Sequence, residues 1–180
     1  MNTNTKTKVS RTGDSKIRTM VAVAVFTALA YVCCVLFHFK LSFLSFDLKD
    51  AVMAVGAMFF GPAYGFAMVV LVAFLEMITI SSTGVYGFIM NIISSTFFVC
   101  VCSIIYKYRR TMAGAVFGMI CSVISMTAAM MIANIIITPH FMGTTTEAVI
   151  EMIPTILFPF NLTKAIFNAS LSFIIYKPVS

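Results

Sequence analysis

Charge is what this sequence has least of. Charged residues fill 10% of its 180 positions, and six acidic residues stand against 12 lysines and arginines. A soluble domain carries roughly 25% charged and roughly 45–50% apolar residues, whereas 61% of this chain is hydrophobic. So few charges cannot cover a water-soluble fold of this length. That excludes a typical cytosolic enzyme, a disordered chain and a secreted disulfide scaffold. Cysteine is also scarce. Cys33, Cys34, Cys100, Cys102 and Cys121 all lie in apolar runs. None is spaced as C-x-x-C or set near a histidine at ligand spacing, so they read as small packing residues. His38 and His140 are lone histidines at the ends of apolar runs and read as interfacial. No metal site is expected. The chain has no G-x-x-x-x-G-K-[ST] phosphate loop, no H-E-x-x-H and no G-x-S-x-G. It is therefore expected to be no enzyme, to have no catalytic residue, ATPase or cofactor of its own, and to bind no nucleic acid.

What is present in quantity is the long apolar run. A transmembrane helix needs about 20 mostly apolar residues. Four runs meet this, at 17–38, 84–106, 112–138 and 153–176. The stretch 51–80 is thirty residues long, too long for one ordinary span and short for two, with Gly61-Pro62 inside it. Proline removes a backbone donor and disfavours helix at the residue before it, so a break is expected there. The basic residues decide the count, because lysine and arginine collect on the cytoplasmic side. If 51–80 crosses twice, nine basic residues lie inside and two outside; if it crosses once, five lie inside and six outside. The sequence thus predicts an all-α integral membrane protein with six helices, both termini inside and a short second helix, in the plasma membrane. Residues 1–16 form a polar cytoplasmic tail without regular structure, and 17–180 form the membrane domain.

Polar side chains at membrane depth are costly and are candidates for function. Asn161, Lys164 and Asn168 fall at i, i+3 and i+7, on one helical face, and Ser172 extends the stripe. Asn91, Ser94 and Ser95 form a second patch, and Thr127, Asn134 and Thr138 a third. In a six-span topology Glu76, Asn91, Asn134, Asn161 and Lys164 all fall in the external half of the membrane, as one outward pocket would require. A Glu76–Lys164 ion pair or plain interhelical hydrogen bonding is the structural alternative. The external segment 38–50, HFKLSFLSFDLKD, alternates aromatic and polar residues and can fold over the pocket as a lid. Ala24-x-x-x-Ala28, Gly61-x-x-x-Gly65 and Gly114-x-x-x-Gly118 allow close helix approach.

Five segments carry a resemblance over residues 17–178: FLSFDLKDAV, GAMFFGPAYG, STGVYGFIMNIISS, NIIITP and LFPFNLTKAIFNASLSFIIYKPV. Through them the chain resembles the substrate-binding (S) components of energy-coupling factor transporters, most closely the riboflavin-binding members. The resemblance implies a six-helix protein that binds a vitamin near the external face. It also implies partners: a coupling transmembrane subunit driven by two cytoplasmic ATPases. By similarity Asn134, Asn161 and Lys164 match residues that hold the flavin, and Leu44 to Asp47 match the segment that covers it. Glu76 and Asn91 join them as substrate-binding candidates from their position in the membrane. Ala24 and Ala28 resemble the small-residue motif that docks on the coupling subunit. Two features depart from the pattern. LEMITISSTGVYGFIMN lacks the acidic or Asn-rich character of many riboflavin-binding relatives, and Lys49 receives no role. Another vitamin or precursor, such as pantothenate or a pyrimidine, remains an alternative ligand. A membrane scaffold without transport remains an alternative function.

Overall fold

Gly61 has φ 103°, a backbone conformation that glycine adopts without a Cβ penalty, and Pro62 opens the following helix. This two-residue corner sets the architecture. In a computed structural model, which describes residues 4–37, 39–41 and 44–178, α1 runs over Asn4–Leu36 and two short strands follow, β1 Phe39–Leu41 and β2 Leu44–Phe46. Next come α2 Lys49–Phe60, α3 Pro62–Thr79, α4 Gly84–Tyr108 and α5 Met112–Met142. The chain closes with α6 Thr146–Met152, a π-helical turn Ile153–Leu157 and α7 Phe158–Tyr176.

Among the described residues, five helical stretches are long and apolar enough to cross a membrane: Lys16–Leu36, Pro62–Thr79, Gly84–Tyr108, Met112–Met142 and the bent Thr146–Tyr176. The short helix α2 accounts for the remaining apolar sequence. The break expected at Gly61-Pro62 is where the chain turns. One expectation gains detail and one needs correction. In the segment expected to cover the pocket, β1 and β2 pair antiparallel with Phe39 opposite Phe46. Alternating apolar and polar residues suit a pleated strand, so the fold is all-helical with one small hairpin. The polar amino-terminal segment is helical from Asn4, continuing α1, because no proline interrupts it.

At 1.5 Å per residue α2 is about 18 Å long, well short of a bilayer core of about 30 Å. Its ends therefore stop where lipid cannot satisfy their backbone groups. Neighbouring helices do so instead. At the amino end the Ala51 N–H donates to Asn168 Oδ1 of α7 at 2.9 Å, and Asn168 Nδ2 donates to the Asp47 carbonyl at 3.0 Å. At the carboxyl end Ser103 Oγ of α4 donates to the Ala57 carbonyl at 2.6 Å. Ten consecutive residues of α2, Lys49 to Met58, are buried, and α1, α3, α4 and α7 pack around it. The core formed by Val52, Met53, Ala57, Met68, Phe98 and Val99 surrounds this helix.

Close packing here depends on Gly65. A Cβ at that position would lie 2.6 Å from the Ala57 Cβ and 3.1 Å from Val99 Cγ1. Helix α1 sits at the periphery: 17% of its membrane span is buried, against 28–39% for the other four. Thr27 faces inward and bonds the Val23 carbonyl, whereas Ala24 and Ala28 are exposed on the outer face with Val21, Val25 and Leu29.

Candidate functional site

The polar residues singled out in four different helices meet at one end of the bundle. Glu76 lies in the last turn of α3, Asn91 in the second turn of α4, Asn134 two turns from the end of α5, and Asn161 and Lys164 near the start of α7. The prolines of the last span help to aim α7. Pro159 has no N–H for a carbonyl one turn back, and a wide π turn precedes it, closed by the Phe158 N–H on the Ile153 carbonyl.

Leu44, Glu76, Asn91, Asn134, Asn161 and Lys164 line one cleft of about 820 Å³, counting its open mouth. Its walls also carry the hydroxyls of Ser81, Ser82, Thr83 and Thr138, and the apolar faces of Tyr86, Met90, Met130, Phe141 and Phe160. A mostly apolar wall with a few polar groups is the usual chemistry of a small-molecule site. The hairpin forms part of the wall through Leu44 and Ser45. It is seated by apolar contact: Leu44 packs with Val149 and Leu157, and the Phe46 ring meets Phe167 and Phe160 edge-on at 5.7 and 6.4 Å.

Behind the cleft lies a buried ionic network. Lys49 Nζ donates to Glu76 Oε2 at 2.5 Å, Asp47 Oδ2 at 3.1 Å and Asn91 Oδ1 at 3.2 Å. Lys164 Nζ donates to the same Asp47 Oδ2 at 2.9 Å and to the Ser45 carbonyl at 3.3 Å. Asp50 accepts from Ser95 Oγ at 2.5 Å. This differs from the alternative pairing of Glu76 with Lys164: the partner of Glu76 is Lys49, and Lys164 belongs to Asp47. Asp47 itself is not on the cleft wall; it is fully buried and joins the two lysines. Burial pushes its carboxyl up, but the Lys164 and Lys49 ammonium groups outweigh burial and hold it below the usual carboxylate range.

Three groups therefore do more than their positions in the sequence announce. Lys49 ties α2 to α3 and α4. Asp47 ties the hairpin to α7. Asn168, read only as a continuation of the polar stripe, bridges α7 to the start of α2. The amides differ in what they offer a ligand. Asn134 donates to the Met130 carbonyl and accepts from Thr138, and Asn161 donates to the Leu157 carbonyl. His140 bonds the Ile136 carbonyl within its own helix, and His38 lies outside the described residues. Among the described residues no group of three or more His, Cys, Asp or Glu side chains is placed to hold a metal ion.

The family model for the substrate-specific component of ECF transporters matches residues 18–178. The chain belongs to this family. The solved S component of a bacterial ECF transporter is similar in fold, with a TM-score of 0.77 at 21% sequence identity, over 91% of this chain and 96% of that one. No curated protein matches by sequence. S components are substrate-binding membrane proteins that work with the other subunits of an ECF transporter, and they are not the ATPases.

Proposed function

We propose that this S component binds riboflavin at the external face and delivers it for ATP-driven uptake by a coupling transmembrane subunit and two cytoplasmic ATPases. The observation that carries the reading is the electrostatic state of the cleft. Its two charged wall residues, Glu76 and Lys164, are each paired with a protein group. A ligand with net charge would have to break a buried ion pair, and stripping one partner from such a pair costs about 3–5 kcal/mol. An uncharged ligand does not meet that cost. Riboflavin is uncharged, has polar ring edges for amides and hydroxyls, and has a flat body for the Tyr86, Met90, Met130 and Phe160 walls. Pantothenate carries a carboxylate and fits less well.

In this reading Asn91, Asn134, Asn161 and Lys164 position the ligand. Leu44 closes over it, and Asp47 holds the covering hairpin down through Lys164. The protein crosses the membrane six times with both termini in the cytoplasm, and the exposed Ala24–Ala28 face of α1 docks on the coupling subunit. Mass spectrometry of small molecules co-purified with the full chain from flavin-replete cells tests the ligand. Riboflavin near one per protein supports the reading, and a different vitamin in its place overturns it.

A further inference from the structure

A second cavity lies at the opposite end of the bundle, where α2 turns into α3 beside the end of α4. It spans about 660 Å³, open solvent at its mouth included. Met58 and Phe60 give it apolar walls, Phe59 and Tyr64 are partly exposed at its rim, and Lys107 and Arg110 add two exposed cations. The three ion pairs among the described residues use only Lys49 and Lys164, so neither cation has a carboxylate partner there. Apart from Asp14 in the amino-terminal tail, the acidic residues Asp47, Asp50, Glu76, Glu147 and Glu151 belong to the cleft end.

We propose that this cavity holds the headgroup phosphate of an anionic phospholipid. The ligand must be amphiphilic, because cations and apolar walls share one space. Arginine forks onto phosphate oxygens and lysine adds a point charge. Tyr64 and Phe59 suit the level where headgroups meet acyl chains, and basic pockets between membrane helices are general sites for acidic headgroups. A purely soluble anion would use the cations but not the apolar wall. The site is distinct from the cleft and does not depend on which substrate the cleft takes.

The test is native mass spectrometry of the full chain given equal amounts of phosphatidylglycerol and phosphatidylcholine. The wild type should retain phosphatidylglycerol preferentially. Lys107→Gln with Arg110→Gln should lower that retention roughly thirtyfold, as two interfacial cations would. Arg109→Gln, next in the chain but off the cavity wall, should leave retention unchanged. Ala63→Phe fills the cavity without removing a charge and should lower retention as well, which separates loss of the site from loss of charge or fold. Equal retention of the two lipids by the wild type overturns the proposal, as does undiminished retention in the double variant. Displacement of the lipid by an equimolar amount of glycerol 3-phosphate would make the ligand a soluble phosphate and also overturn it.

Discussion

Lys49, on the short second helix, reaches Glu76, on the third, with 2.5 Å between ammonium and carboxylate, and both side chains are almost wholly buried. Burying two charges is costly, and their attraction offsets the cost only while both are present. Lys49→Met should therefore leave Glu76 uncompensated and Asp47 with Lys164 alone, and destabilise the protein by about 3–5 kcal/mol. Thermal unfolding in detergent measures this. Adding Glu76→Gln to Lys49→Met should recover part of the loss, which a mere packing defect at Lys49 would not allow.

Asn161→Ala should weaken riboflavin binding by about ten- to hundredfold, the cost of leaving one buried polar contact of the ligand unmade. Its melting temperature without ligand should change little, since its own bond is to the Leu157 carbonyl within the same helix segment. Lys164→Met should reduce both affinity and stability, because Lys164 also anchors Asp47 and Ser45. Titration and melting of the two variants side by side separate a ligand contact from a hairpin anchor.

Helix α3 approaches α2 at Gly65, where an added Cβ would meet the Ala57 Cβ at 2.6 Å. Gly65→Ala should cost about 1–3 kcal/mol through overpacking. Ala57→Gly in the same chain should return part of that stability by removing the atom it strikes. Equal melting of the single and double variants would contradict the packing account.

Asp47 lies in the connection before α2, with its carboxyl held below the usual range by two ammonium groups. A depressed folded-state value means the pairing contributes fully above the unfolded carboxyl value of about 3.9 and is lost as pH falls below it. The stability gap between wild type and Asp47→Asn should thus be constant above about pH 5 and narrow in stronger acid. Melting curves across pH measure the gap.

Much of this was legible from local rules. Gly61-Pro62 marks a corner because proline lacks a donor and glycine accepts a positive φ. Asn161, Lys164 and Asn168 share a face because a helix repeats every 3.6 residues. The role of Lys49 was not legible. It stands between two aspartates in a segment that reads as a lid, and its main partner Glu76 is 27 residues away. The pairing exists because the short α2 sinks its polar first turn into the bundle. The same long-range logic assigned Lys164 to Asp47 rather than to Glu76. The hairpin was half legible: its alternation was visible, but not the pairing of Phe39 with Phe46.

The central claim is that the cleft takes riboflavin without help from any other subunit. The flavin's own fluorescence reports binding on titration with purified protein, because the aromatic ring of Tyr86 on the cleft wall quenches a bound flavin by electron transfer. The account predicts saturation at one flavin per chain, without ATP, and loss of tight binding in Asn161→Ala. Riboflavin fluorescence that stays unchanged at every concentration of folded protein would contradict it.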